Sequence, residues 1–149
     1  MPRFMPFKTA PLLVKALLDL ENAISGGGLE RGLGELVKLR ASQINGCAYC
    51  IHMHVSEARS QGETEMRLFM LDAWQESPLY TDRERAALAW TESLTLVADT
   101  RVPDVVYELV KEQFNETELV YLTVLIGAIN LWNRLQISAR ASHSVHTAA

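Results

Sequence analysis

Apolar residues return every three or four positions along almost the whole of this chain, and no stretch alternates apolar and polar side chains between hairpin turns. That rhythm admits helices and excludes sheets, so the expected fold is all-α. Leu12, Leu13, Ala16, Leu17, Leu20 and Ile24 mark the apolar face of a first helix, which Gly26-Gly27-Gly28 ends with backbone freedom other residues lack. A second helix runs from about Glu30 to Ile44. Asn45-Gly46 suits left-handed backbone, so the chain turns there and opens a third helix at or just before Cys47, ending near Gln61-Gly62. A fourth, from about Thr64 to Trp74, precedes a loop at Ser77-Pro78. Thr81-Asp82-Arg83-Glu84 has capping-box spacing and starts a fifth to about Val97, and Pro103 opens a sixth. Asn115-Glu116-Thr117-Glu118 repeats the capping pattern for a seventh to about Ala141. The expectation is one domain over residues 1–149 with six or seven helices, no internal linker or repeat, and a frayed tail from His143 to Ala149.

With 149 residues, 48% of them hydrophobic, the chain is long enough to bury a core without disulfide staples. A formal charge of -4 and no long basic run argue against nucleic acid or an anionic membrane and for a small-molecule or protein partner. The most apolar run, Leu119 to Trp132, holds Thr123, Gly127 and Asn130 and is too short to span a bilayer; it reads as a buried helix that needs more cover than one face provides. At the N-terminus Arg3 and Lys8 precede an apolar stretch, but Lys15 and Asp19 interrupt it and no small-residue cleavage site follows, so a cytoplasmic location is expected.

Both cysteines lie in Cys47-Ala48-Tyr49-Cys50, and His54 follows one helical turn later. On a helical wheel Cys47, Cys50 and His54 fall at about 0°, 300° and 340°, on one narrow stripe of the apolar face, whereas His52 points elsewhere. A thiol near a helix N-terminus has its thiolate stabilised by unpaired backbone N–H groups, and an imidazole beside it can take its proton. Burial raises the thiol pKa, so the imidazole is needed. If the second and third helices form a hairpin about Gly46, Glu35 and His54 are offset by three residues, about 4.5 Å of rise, close enough for the carboxylate to orient the ring.

Other readings stay open at this point. A pair of cysteines can be core hydrophobes, or thiolate ligands of zinc, although His52 faces away and no second CxxC supplies the missing ligand. A thioredoxin-like redox motif sits on a βαβ pattern that is absent here. Glu35 alone is compatible with a solvated helix carboxylate. His52 reads as a surface residue, and His143 and His146 lie in the tail with no partner in the pattern. Trp74, Trp90 and Trp132 read as core or interface anchors.

The run from Glu35 to His54, with Glu, Cys, Cys and His at successive offsets of twelve, three and four positions, resembles the core of the alkylhydroperoxidase AhpD-like, carboxymuconolactone decarboxylase superfamily. The segments Ser77-Pro78, Thr81 to Leu88 and Asn130-Leu131-Trp132-Asn133-Arg134 also look like this family's helices, so the likeness covers about residues 30–140. It implies an all-helical protomer that assembles into trimers or hexamers and reduces hydrogen peroxide or organic hydroperoxides through a dithiol/disulfide cycle. It assigns attack on peroxide to Cys50, resolution to Cys47, and the proton relay to His54 and Glu35. No tightly bound cofactor is implied; the reductant is an external dithiol such as a dihydrolipoyl protein or another thiol carrier. Well-known peroxidase members carry histidine before the second cysteine, where this chain has Tyr49, and decarboxylating members generally lack the cysteine pair. Alternatives are a dithiol-disulfide oxidoreductase or redox sensor, a lactone decarboxylase, and a non-catalytic helical module.

Overall fold

The computed structural model describes residues 1–144 and, among them, contains only helices as regular structure. In chain order these are α1 (Pro6–Thr9), α2 (Pro11–Ser25), α3 (Arg31–Asn45), α4 (Ala48–Ser60), α5 (Glu65–Phe69), a 3-10 turn (Leu71–Ala73), α6 (Asp82–Thr95), α7 (Val97–Thr100), α8 (Asp104–Lys111) and α9 (Glu116–Ala139). The seven expected helices are α2 to α6, α8 and α9. The two that sequence periodicity does not announce, α1 and α7, have four residues each, too few to show a period.

α3 is the centre of the fold and packs against α4, α6 and α9; α9 in turn packs on α2, α6 and α8. The inner side of α9 buries Leu122, Leu125, Ile126, Ala128 and Ile129, while Val120 and Val124 face outward. The capping boxes at Thr81/Glu84 and Asn115/Glu118 are both formed, each cap side chain accepting from the backbone and each glutamate returning the bond. No helix among the described residues is long and apolar enough to cross a membrane.

Two local departures from the periodic reading have physical causes. The fourth helix breaks after Phe69 into the 3-10 turn, whose three-residue period brings Leu68, Leu71 and Trp74 onto one line; all three are buried. The first helix is rotated from its expected face: Val14 and Ile24 are buried, but Leu12 and Leu13 are 83% and 64% exposed, because α2 has only α9 and the short α1 to lie on. In the expected tail the His143 ring stacks on His52 with centroids 4.8 Å apart, and residues 145–149, with His146, lie outside the described residues.

The long α9 depends on its cap. Replacing Asn115 by alanine removes the acceptor for Glu118 N–H, and urea unfolding should register a loss of about 1 kcal/mol with an unchanged m-value.

Candidate active site

The turn between α3 and α4 builds the site. Gly46 adopts left-handed backbone (φ 71°), and its N–H and that of Cys47 return to Gln43 and Ser42 carbonyls, closing α3 in a Schellman turn. Cys47 follows directly as the N-cap of α4, where its sulfur accepts from Cys50 N–H at 3.4 Å. The dithiol therefore straddles a helix start, and both thiols are free and buried.

Behind them lies a polar network. Asn45 donates to Asn130 Oδ1 (3.0 Å) and Asn133 Oδ1 (2.8 Å), Asn133 donates to Ser42 Oγ (2.9 Å), and Ser42 donates to Lys38 O (2.7 Å). Asn130 also donates to Thr95 Oγ1 and to Ile126 O. These bonds satisfy asparagines on an otherwise apolar helix and fix α9 against the end of α3.

On the other side opens a cavity of about 360 Å³. Cys50, His54, Tyr49, Met53 and Glu57 of α4, Glu35 and Lys38 of α3, and Ile129, Trp132 and Gln136 of α9 line it, and Phe7, Leu18 and Glu21 close it from the N-terminal segment. Phe7 stacks on Trp132 at 6.3 Å, and the Trp132 indole donates to Glu21. Trp132 is thus a cavity wall, whereas Trp74 and Trp90 are buried anchors. Cys50 borders this cavity; Cys47 does not.

Glu35 and His54 meet across the α3/α4 hairpin, with Nδ1 to Oε2 at 2.9 Å and both residues buried, Glu35 more deeply than a position at the edge of the apolar arc suggests. The other Glu35 oxygen accepts from Lys38 Nζ. Burial raises the Glu35 pKa, but the bonds from His54 and Lys38 outweigh it and hold the carboxyl below its ordinary range. An ionised Glu35 accepts, so His54 Nδ1 carries the hydrogen and Nε2 is left for another partner. Nε2 is buried and has none among the described residues.

The two sulfurs are unlike. Cys47 is lowered to about 7, first by the hydrogen bond from the Cys50 thiol, against burial, with Cys50 N–H, Asn133 and Tyr49 N–H assisting. Cys50 is raised, first by that same bond and then by burial. The pair loses its first proton as a unit, with the charge resting on the capping sulfur.

The structure thus brings Cys50, His54 and Glu35 to one cavity with Cys47 directly behind, and leaves His52 on the surface. Lys38 and Asn133 were not singled out from sequence. The signals for them are the Glu35/Lys38 spacing of three on one helix face and a pair of asparagines, Asn130 and Asn133, inside an apolar run. No group of three or more His, Cys, Asp or Glu side chains among the described residues is arranged to hold a metal ion.

The sequence profile of the carboxymuconolactone decarboxylase family matches residues 11–93. YdfG of Bacillus subtilis (strain 168), itself uncharacterized, is 43% identical over 132 residues, 89% of this chain and 90% of its own. The crystal structure of a protein of unknown function from Agrobacterium tumefaciens, provisionally named for the antioxidant defence protein AhpD, is 43% identical and superposes with a TM-score of 0.95 over 98% of this chain and 100% of its own. The debrominase Bmp8, 17% identical, superposes with a TM-score of 0.81 over 93% of this chain and 75% of its own, a likeness of fold. Matched over most of its length by that profile and by relatives of nearly equal extent, the chain belongs to the carboxymuconolactone decarboxylase family, in its AhpD-like superfamily.

Proposed function

We propose that the protein is a thiol peroxidase that reduces hydroperoxides through Cys50 and Cys47. One observation carries the reading: the buried His54 Nε2 has no hydrogen-bond partner among the described residues, His54 borders the same cavity as Cys50, and Nδ1 is held by Glu35. An imidazole held in this way is a base awaiting a proton. Nε2 takes the Cys50 proton through one bridging water; the thiolate attacks the terminal oxygen of ROOH, the O–O bond breaks, and the alkoxide takes the proton from His54 and leaves as ROH. Cys50 is now a sulfenic acid. Cys47, the lowered thiol of the pair, attacks it as thiolate, forming the disulfide and releasing hydroxide, which is protonated to water. An external dithiol, such as a dihydrolipoyl group, then reduces the disulfide and is itself oxidised.

This scheme gives the raised and the lowered thiol different tasks. Cys50 needs a base because its proton is held more tightly; Cys47 needs none. Hydrogen peroxide or cumene hydroperoxide should be consumed by the wild type with dihydrolipoamide, and turnover should fall at least a hundredfold in Cys47→Ser and in Cys50→Ser. Only Cys47→Ser should accumulate a sulfenic acid that dimedone traps. Trapping in Cys50→Ser instead would reverse the roles, and thiol cycling without peroxide consumption would leave a dithiol-disulfide oxidoreductase.

The ionisation of the pair makes a separate test. Iodoacetamide alkylation of the wild type should accelerate as pH rises through about 7, because the thiolate is the nucleophile and the first proton leaves there. A midpoint near 9 would contradict the capping arrangement.

We also propose that the protein acts in the cytoplasm as a homo-oligomer. Among the exposed apolar side chains that an interface would cover, α9 offers Val120, Val124, Leu131 and Ile137, and α2 offers Leu12 and Leu13. Light scattering should give a mass that is a multiple of 16.7 kDa at micromolar protein. A monomer mass unchanged by concentration would refute the assembly.

A further inference from the structure

Lys38 has no part in the scheme above, yet it lines the cavity and bonds the oxygen of Glu35 that His54 leaves free. The charges around His54 are unbalanced without it. Facing the cavity are Glu35 from α3, Glu57 from α4 and Glu21 from α2, beside the thiol of Cys50 and the phenol of Tyr49; α1 and α9 contribute no titratable group. Glu57 is occupied by Arg31 and Gln61, and Glu21 by the Trp132 indole. Among the described residues that line the cavity, Lys38 is the only lysine or arginine.

A buried carboxylate with imidazole as its sole partner draws a second proton onto the ring, giving a carboxylate–imidazolium pair whose Nε2 is a donor and not an acceptor. An ammonium on the opposite oxygen removes much of that pull and repels the added charge. We propose that Lys38 is a positioning residue that keeps His54 a base: by sharing Glu35 it holds the carboxylate ionised and oriented while leaving the imidazole neutral with Nε2 unprotonated. This rests on the peroxidase reading only for its purpose, because the proton state of His54 is measurable without any peroxide.

The test uses the Cys47→Ser background, in which Cys50 is the remaining thiol. Lys38→Gln should move the midpoint of its pH–alkylation profile down by about one unit, because the imidazolium it leaves beside Cys50 stabilises the thiolate, and Lys38→Arg should restore the parent profile. In a Glu35→Gln background the same Lys38→Gln change should shift the midpoint much less, because the carboxylate through which lysine acts is gone. An upward shift in either background would mean that lysine acts directly on the thiol, and no shift in the parent would mean that it does nothing; either overturns the proposal. Nitrogen-15 NMR of the imidazole gives the independent reading. At pH 7 the wild type should show Nδ1 protonated and Nε2 bare, and Lys38→Gln should show both protonated. An imidazolium in the wild type would refute the proposal even if the variant failed to fold. Wild-type protein that passes these tests but consumes no peroxide would sink the peroxidase reading and leave the role of Lys38 intact.

Discussion

Everything in the site hangs on one residue's backbone. Gly46 turns left-handed, and in doing so it closes α3, returns the chain, and starts α4 on the next residue, so that no spacer separates the end of one helix from the sulfur that caps the other. A side chain at a φ of 71° would be strained for most residues, and a longer connection would move Cys47 off the cap. The same turn sets the register that lets Glu35 reach His54 across nineteen positions of sequence. The asparagine network then locks the turn against α9, with Asn45 as the tie beside the glycine.

Within that frame, burial and polarity are opposed and resolved locally. Two thiols, an imidazole and a carboxylate are each withdrawn from water, a costly arrangement unless each finds a partner. Glu35 finds two, Cys47 finds the helix start and the neighbouring thiol, and Cys50 pays for its neighbour's stabilisation with its own reluctance to ionise. Among the described residues only His54 Nε2 is left over. An unmatched acceptor in a structure that matches its other buried groups so closely marks where an outside molecule completes the set.

How much of this was legible in the residues follows from the range of the forces involved. Helix starts at Thr81 and Asn115, the turn at Asn45-Gly46 and the common stripe of Cys50 and His54 are set by neighbours within one or two turns, and sequence displays them. The contact of Glu35 with His54 was accessible because a hairpin with a known hinge converts sequence offset into distance. The rotated face of α2 was not, since which leucines are covered depends on where α9 runs, more than a hundred residues later. Phe7 and Trp132 meet for the same non-local reason. The break in the fourth helix is intermediate: Leu68, Leu71 and Trp74 already stand three apart, the spacing a 3-10 turn aligns, but only the packing of the site's outer layer selects it over a continued α-helix.

Because Cys50 borders the cavity and Cys47 does not, a disulfide between them has a front and a back. In the proposed cycle an incoming thiol meets the front sulfur, and the sulfur that departs is the one already stabilised as an anion at the helix cap, the better leaving group of the two. Oxidant and reductant would therefore pass through the same doorway to the same atom, each barred while the other is inside. In that proposed cycle the site would work as a turnstile: the two half-reactions alternate, and an excess of either visitor delays the next turn.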